Sequence, residues 1–253
     1  TGFHRRFYHP SNSRIFFYGD DPADDRLKRL DAWLSTFERQ APDSTVPLQP
    51  AFPAPRAATH GYRVDGEAGG TSFVAANWVW PSPVDATAAL HGQILAHILI
   101  GTPASPLRKA LLESGLGEDL AGCGFETHAR QMFFSTGLRG VEASRTGEVA
   151  PLIRAVLTRL ADEGLDPKTL EAALNTTEFA LRENNTGSYP RGLVLMLRAL
   201  TSWNYDGDPL APLRFAAPLA NLRARIAAGE RVFENLIRAW LLDNPHHTVV
   251  TLN

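Results

Sequence analysis

Five prolines between residues 42 and 55 divide this 253-residue chain into a short first part and a long second part. They are Pro42, Pro47, Pro50, Pro53 and Pro55. Proline fixes φ and removes a backbone donor, so a run of prolines favours extended backbone outside regular sheets and helices. The pattern predicts a linker over residues 43–57, between a first part at 1–42 and a globular unit at 58–253.

The first part carries one strand pattern and one helix pattern. Residues 14–19 are rich in aromatic and β-branched side chains, which predicts a strand. A helix with an apolar stripe at Leu27, Leu30, Leu34 and Phe37 follows it. A lone strand leaves backbone groups and aromatic rings uncovered. We therefore expect residues 14–19 to pack on a second copy of the chain, as a route to self-association, or on the chain's own second part.

The second part begins with strand patterns and continues with helix patterns. Strands are predicted at 60–64 and 72–80, joined as a hairpin by a glycine-rich turn, and at about 119–127 and 129–138. A helix is predicted up to Ile100, further helices occupy most of 146–242, and a last strand covers 247–252. This order predicts an α+β fold, an antiparallel sheet with helices packed on one face.

Composition and charge exclude several classes of partner. Lys and Arg number 25 against 27 Asp and Glu, so there is no electrostatic case for nucleic acid or an anionic membrane surface. The longest apolar stretch, 94–100, is interrupted by His97 and is too short to span a bilayer. Cys123 is the only cysteine, which fits a reducing compartment and predicts a small buried strand residue. The chain begins at Thr1 with neither Met nor an apolar leader, so we expect a piece of a longer protein.

No complete catalytic motif is present. The sequence lacks the Gly-x-Ser-x-Gly nucleophile pattern, a phosphate loop ending in Gly-Lys-Ser/Thr, and the Gly-x-Gly-x-x-Gly dinucleotide pattern. His91 and His97 are six residues apart on one predicted helix, so they cannot share a face and bind one metal. We predict no catalytic residue and no metal ligand in this chain.

Several segments, in order along nearly the whole chain, carry a family resemblance. They are residues 7–20, 100–108, 112–117, 179–187, 190–193 and 244–246. Together they resemble the presequence protease family, large zinc metallopeptidases of the pitrilysin and insulysin clan. The resemblance implies a four-domain protein whose halves close around a chamber that degrades unfolded peptides.

The resemblance also places this chain within such a protein. Residues 1–42 would be the last strand and helix of the preceding catalytic domain, and 58–253 the inactive second domain. Zinc would be held upstream of Thr1 by an inverted His-x-x-Glu-His motif and a further Glu, with no cofactor in this chain. The implied partners are that catalytic domain, the following C-terminal half of the same polypeptide, and a peptide substrate. We expect the cytoplasm of a bacterium, with a mitochondrial-type compartment as the alternative.

By the same resemblance, the helix before Ile100 corresponds to the catalytic helix. Gln93 then stands where a zinc-binding His would be, Ala96 replaces the general base, and His97 remains alone. A methyl group accepts no proton, and one imidazole does not hold zinc usefully.

In the insulysin-like relatives an edge strand pairs with the substrate backbone, which gives this chain candidate substrate-binding residues. They are Gly101, Leu120, Ala121, Gly122, Cys123 and Gly124. Alternatively, the glycines mark only a bulge or bend. Two other hypotheses stay open: a partner-binding module without substrate contact, and a complete hydrolase with an unrecognised site.

Overall fold

The computed structural model describes residues 2–63, 71–184 and 186–253, and its centre is a five-stranded sheet. The strands are β1 (Arg56–His60), β2 (Thr71–Val79), β3 (Asp119–Glu126), β4 (Phe133–Glu142) and β5 (His247–Leu252), in the order β1-β5-β2-β4-β3. The β1–β5 pair is parallel, and the other pairs are antiparallel. The predicted α+β fold class is confirmed, and the predicted antiparallel pairing is wrong only for β1 and β5 among the described strand pairs.

One face of the sheet forms the core with the helices. Side chains alternate along a strand, and in β2 Val74, Ala76 and Trp78 are buried while Ala75 and Asn77 on the other face are only partly covered. The described α-helices are α1 (Gly2–Phe7), α2 (Ala23–Leu34), α3 (Ala86–Ile100), α4 (Pro106–Glu113), α5 (Thr146–Glu163), α6 (Pro167–Glu183), α7 (Arg191–Trp203), α8 (Ala216–Ala227) and α9 (Val232–Ile237), the last continuing as a π-helical turn over Arg238–Leu242.

Helix α3 lies at the centre of the helical layer. The Asp85 carboxylate accepts the backbone N–H groups of Thr87 and Ala88, which satisfies two donors at the helix start. Apolar residues surround most of its circumference, and Ile94 and Leu99 are fully buried. A helix that is apolar on nearly every side must be covered by several elements. None of the described helices is long and apolar enough to cross a membrane.

The predicted hairpin between residues 60–64 and 72–80 is wrong. The first strand lies earlier, at 56–60, so the end of the predicted linker belongs to β1. Strand β5 lies between β1 and β2 and pairs with both. Local turn signals favoured a hairpin of two neighbouring strands, but β5, from the far end of the chain, lies between β1 and β2. The predicted turn, 65–70, lies outside the described residues.

The predicted strand at residues 14–19 is also wrong. The Arg14 guanidinium donates to the Trp203 carbonyl oxygen (3.1 Å) and pairs with Asp206 (2.6 Å). The Tyr18 ring lies so close to Gly192 that a Cβ there would stand 2.6 Å from it. Aromatic and β-branched residues form a strand only where a sheet edge is available, and this segment lies on α7 instead. Of the two arrangements expected for residues 14–19, the structure shows packing on the chain's own second part, at α7.

The proline-rich segment crosses the outer face of the sheet. The backbone N–H of Gln49 donates to the Gln131 side-chain oxygen (2.6 Å), and the Phe52 ring lies 4.3 Å from that of His246. The Arg56 guanidinium lies over the Phe52 ring at 3.7 Å. These contacts hold the segment against the sheet.

Candidate functional site

A groove of about 380 Å³ opens between α3, α6 and the end of β3. Its walls are Gln93, Ala96, His97, Ile100 and Gly101 from α3 and the turn after it, Phe125 from β3, and Thr176, Thr177 and Ala180 from α6. The structure thus brings together Gln93, Ala96, His97 and Gly101, four of the residues singled out in the sequence.

The chemistry of this groove does not fit zinc. Its polar groups are the Gln93 amide, the His97 imidazole and two threonine hydroxyls, and no carboxylate lines the described wall. Among the described residues no group of three or more His, Cys, Asp or Glu side chains could hold a metal ion. A catalytic zinc site needs three protein ligands such as imidazole and carboxylate. We therefore derive no metal-dependent step from these residues.

Gly101 allows the His97 imidazole to lie against the turn that ends α3. The Gly101 N–H and the Ser105 hydroxyl both donate to the His97 carbonyl oxygen, at 2.9 and 3.1 Å. A Cβ at Gly101 would overlap the imidazole Nδ1. The glycine is thus explained by the packing of His97.

Strand β3 forms an edge of the sheet, because β4 is its only neighbour in the described strand order. The register shifts between Ala121 and Gly124, which is a bulge. Gly122 and Gly124 have φ of +94° and +75°, values that L side chains rarely adopt. The glycines do mark a bulge, and the outer edge of the strand is exposed beside it.

The candidate residues on β3 lie beside the groove and outside its lining. Gly124 is closest, since a Cβ there would stand 3.8 Å from Ile100 Cδ1. Leu120, Ala121, Gly122 and Cys123 lie further along the strand. The prediction of a buried Cys123 is wrong: the bulge leaves this residue exposed on an edge strand.

The start of β3 is fixed to β4 by charge. Asp119 pairs with Arg139 at 2.7 Å, and these two residues are opposite each other in the register. The hydrogen bond from Arg139, followed by that from the Leu120 N–H, lowers the pKa of the Asp119 carboxyl. Asp119 is therefore ionised near neutral pH and anchors the strand before its bulge.

Phe125 joins β3 to the core. Its ring lies 5.4 Å from that of Trp80, and a Cβ at Gly92 of α3 would stand 2.8 Å from it. Phe125, Thr176 and Thr177 line the groove but are absent from the predicted site. Thr176 and Ala180 are small residues four positions apart on α6, so they lie on the same face of the helix. This spacing is the sequence feature that could have indicated the α6 wall of the groove.

Comparison with known proteins identifies the family. The family model described as "Peptidase M16 inactive domain" matches residues 1–177. The chain therefore belongs to the peptidase M16 family, as an inactive domain and a non-catalytic part of a peptidase.

Curated relatives agree with this assignment. Presequence protease 1, chloroplastic/mitochondrial, from Arabidopsis thaliana is 43% identical over 99% of this chain, which corresponds to 24% of that protein. Protein HypA from Clostridium perfringens is 32% identical over 99% of the chain and 26% of its own length. The mitochondrial presequence protease of Xenopus laevis is 29% identical, over 99% of the chain and 25% of that protein. The chain spans about a quarter of the length of these relatives.

Solved structures agree on the fold. A protease from Helicobacter pylori superposes with a TM-score of 0.69 at 15% identity, over 100% of this chain and 58% of that chain. The first half of the periplasmic protease PqqL from Escherichia coli superposes with a TM-score of 0.69 at 15% identity, over 99% of this chain and 53% of that chain. At such identities the likeness concerns the fold alone.

Proposed function

We propose that this chain is the non-catalytic part of a zinc metallopeptidase that degrades unfolded peptides, that it forms part of the chamber wall, and that β3 binds the substrate by strand addition. The observation that carries the proposal is the position of β3, an edge strand with an exposed outer side next to the α3–α6 groove. The zinc of the parent protein would lie in its preceding catalytic domain.

Strand addition suits a substrate without fixed sequence. Backbone N–H and C=O groups are present in every extended peptide, so an edge strand binds them whatever the side chains are. The exposed Gly122 and Cys123 place no large side chain at the middle of this edge. The candidate contacts of the substrate peptide are therefore Leu120, Ala121, Gly122, Cys123 and Gly124. Gly101 is a further candidate, because it follows Ile100, the residue next to Gly124.

Helix α2 (Ala23–Leu34) supports the assignment of residues 1–42 to the preceding catalytic domain. It has no buried residue, and two of its large apolar side chains are open to solvent: Leu27 is 60% and Trp33 50% exposed. An exposed apolar stripe on a short helix is typical of an interface with another domain. We propose residues 43–57 as the linker and 58–253 as the inactive domain. The catalytic domain and the C-terminal half would be the partners, in a bacterial cytoplasm or, alternatively, a mitochondrial-type compartment.

The test is an amide chemical-shift titration of the chain with an unfolded peptide. The expected result is shifts at residues 119–126 and at Gly101, with none in β1, the other edge of the described sheet. A peptide with the same side chains and N-methyl groups at alternate backbone positions cannot pair as a strand, so it should not bind. Equal binding of both peptides, or no shift at Gly122 and Gly124 at high peptide concentration, would contradict strand addition.

The second candidate function is that of a partner-binding module without substrate contact. The bulge between Ala121 and Gly124 favours it, because bulges interrupt an edge and discourage pairing with other strands. The same titration separates the two functions. A module of this kind would leave β3 unperturbed by peptides while α2 still binds the neighbouring domain.

A further inference from the structure

A second cavity, of about 360 Å³, lies at the point where β3 ends. It lies between α3, α7 and the segment 211–218 that leads into α8, and its lining is mostly apolar, including Leu90, Val194 and Phe215. Thr127 and His128, which directly follow β3, are among the residues that line it. Gln93 lines both this cavity and the groove described above. A peptide leaving the edge of β3 would therefore reach this cavity next.

Arg198 of α7 places a positive charge on the cavity wall. It is half-buried, and within the described parts of the chain no hydrogen bond or ion pair joins its guanidinium to another group. Burial lowers the pKa of this guanidinium. The second arginine of the wall, Arg214, is exposed and lies 3.6 Å from Asp208. No carboxylate is among the described residues that line the cavity.

A half-buried charge without a protein partner has lost part of its hydration, and no ion pair compensates for that loss. A carboxylate is the group that compensates it best, since its two oxygens match the paired N–H donors of a guanidinium. The apolar walls around Arg198 would strengthen such a pair by excluding water.

We propose that this cavity, the Arg198 pocket, binds a carboxylate of the peptide that lies along β3. The inference rests on the proposed function, because the same peptide must pair with the strand. The carboxylate could be an Asp or Glu side chain or the C-terminal carboxylate. Both sources present the same group to Arg198, and the experiment separates them.

Three peptides of otherwise identical sequence are titrated into the full chain. One is neutral with both ends blocked, one carries a single Glu with blocked ends, and one is neutral with a free C-terminal carboxylate. We expect at least one charged peptide to bind about tenfold more tightly than the neutral one, equivalent to about 1.4 kcal/mol. The peptide that gains affinity identifies the source of the carboxylate.

The variant is Arg198→Met, which keeps the alkyl stem and removes the charge. The matched control is Arg191→Met, at an exposed position of the same helix outside the pocket. Arg198→Met should abolish the preference for the charged peptide and leave affinity for the neutral peptide unchanged. Arg191→Met should retain the preference.

The outcomes distinguish the two claims. Equal affinity of all three peptides for the wild type, or a preference that survives Arg198→Met, overturns the pocket while strand binding stands. If the charged peptides bind through Arg198 without shifting the β3 amides, the strand-addition proposal fails and the pocket is an independent anion site. That result would overturn the link between pocket and strand.

Discussion

The two glycines of the β3 bulge differ in a way that substitution by alanine can measure. At Gly122, φ is +94° and a Cβ would stand 2.7 Å from the backbone carbonyl of Ser135 in β4. At Gly124, φ is +75° and the nearest atom to a Cβ is Ile100 Cδ1 at 3.8 Å, an ordinary contact. The positive φ disfavours any residue with a side chain at both positions. At Gly122 a Cβ would also overlap the Ser135 backbone.

The magnitudes follow from these two terms. Placing an L residue at positive φ costs roughly 1–2 kcal/mol, so Gly124→Ala should lower the free energy of unfolding by about that amount. Overpacking against backbone adds roughly 1–3 kcal/mol, so Gly122→Ala should cost about 2–5 kcal/mol. Urea unfolding followed by far-ultraviolet circular dichroism measures both.

The reasoning is refuted if Gly122→Ala is no more destabilising than Gly124→Ala. Gly124→Ala also serves as a functional probe, because it should fold. If an open backbone at Gly124 matters for substrate, this variant should bind the unfolded peptide more weakly while the β1 edge remains unaffected. Unchanged peptide affinity would show that Gly124 is needed only for the bulge.

Three further measurements address the core, the pH dependence and the exposed thiol. The buried Trp78 indole donates to the Leu241 carbonyl oxygen at 2.9 Å, so Trp78→Phe should cost about 2–4 kcal/mol in urea unfolding; a loss under 1 kcal/mol would contradict this role. Burial, and then the charge of Arg225, lowers the pKa of His91 from its ordinary 6.5. The unfolded chain therefore takes up a proton that the folded chain resists, and stability should fall as the pH drops below about 6.5. His91→Asn should flatten that slope in pH-dependent unfolding, and an unchanged slope would contradict this role of His91. Cys123 is exposed, so its thiol should react with a disulfide reagent in the folded chain. Desolvation raises the pKa of this thiol, so the reaction should be slower than in urea and should accelerate as the pH rises. A thiol that does not react in the folded chain would contradict the exposed position of Cys123 on β3.

Local patterns predict the helices better than the order of the strands. Helix α3 follows from a continuous apolar run that ends at Gly101, both visible over a short stretch. The pairing of β5 with β1 and β2 joins residues that are roughly 170 to 190 positions apart, and no local signal specifies which strand lies between β1 and β2. The strand predicted at 14–19 shows the same limit, because propensity cannot supply a sheet edge.

The candidate site divides in a similar way. Gln93, Ala96 and His97 lie on one groove wall, as expected for residues three or four apart on one helix. The opposite wall, with Thr176 and Thr177, depends on how α6 packs against α3. Arg198 gives no signal in the sequence, because a charge in an amphipathic helix ordinarily indicates a solvated face. Only the fold shows that Arg198 lines a cavity between α3, α7 and the segment 211–218.

The central claim is that this chain contributes to a peptidase without cutting peptides itself. The most direct test incubates the purified chain and an unfolded peptide with added zinc or with a chelator, and follows the peptide by mass spectrometry. The account predicts an intact peptide under both conditions, because the described residues of the groove include His97 but no second imidazole or carboxylate to hold zinc or act as general base. Zinc-dependent cleavage by the purified chain would contradict it.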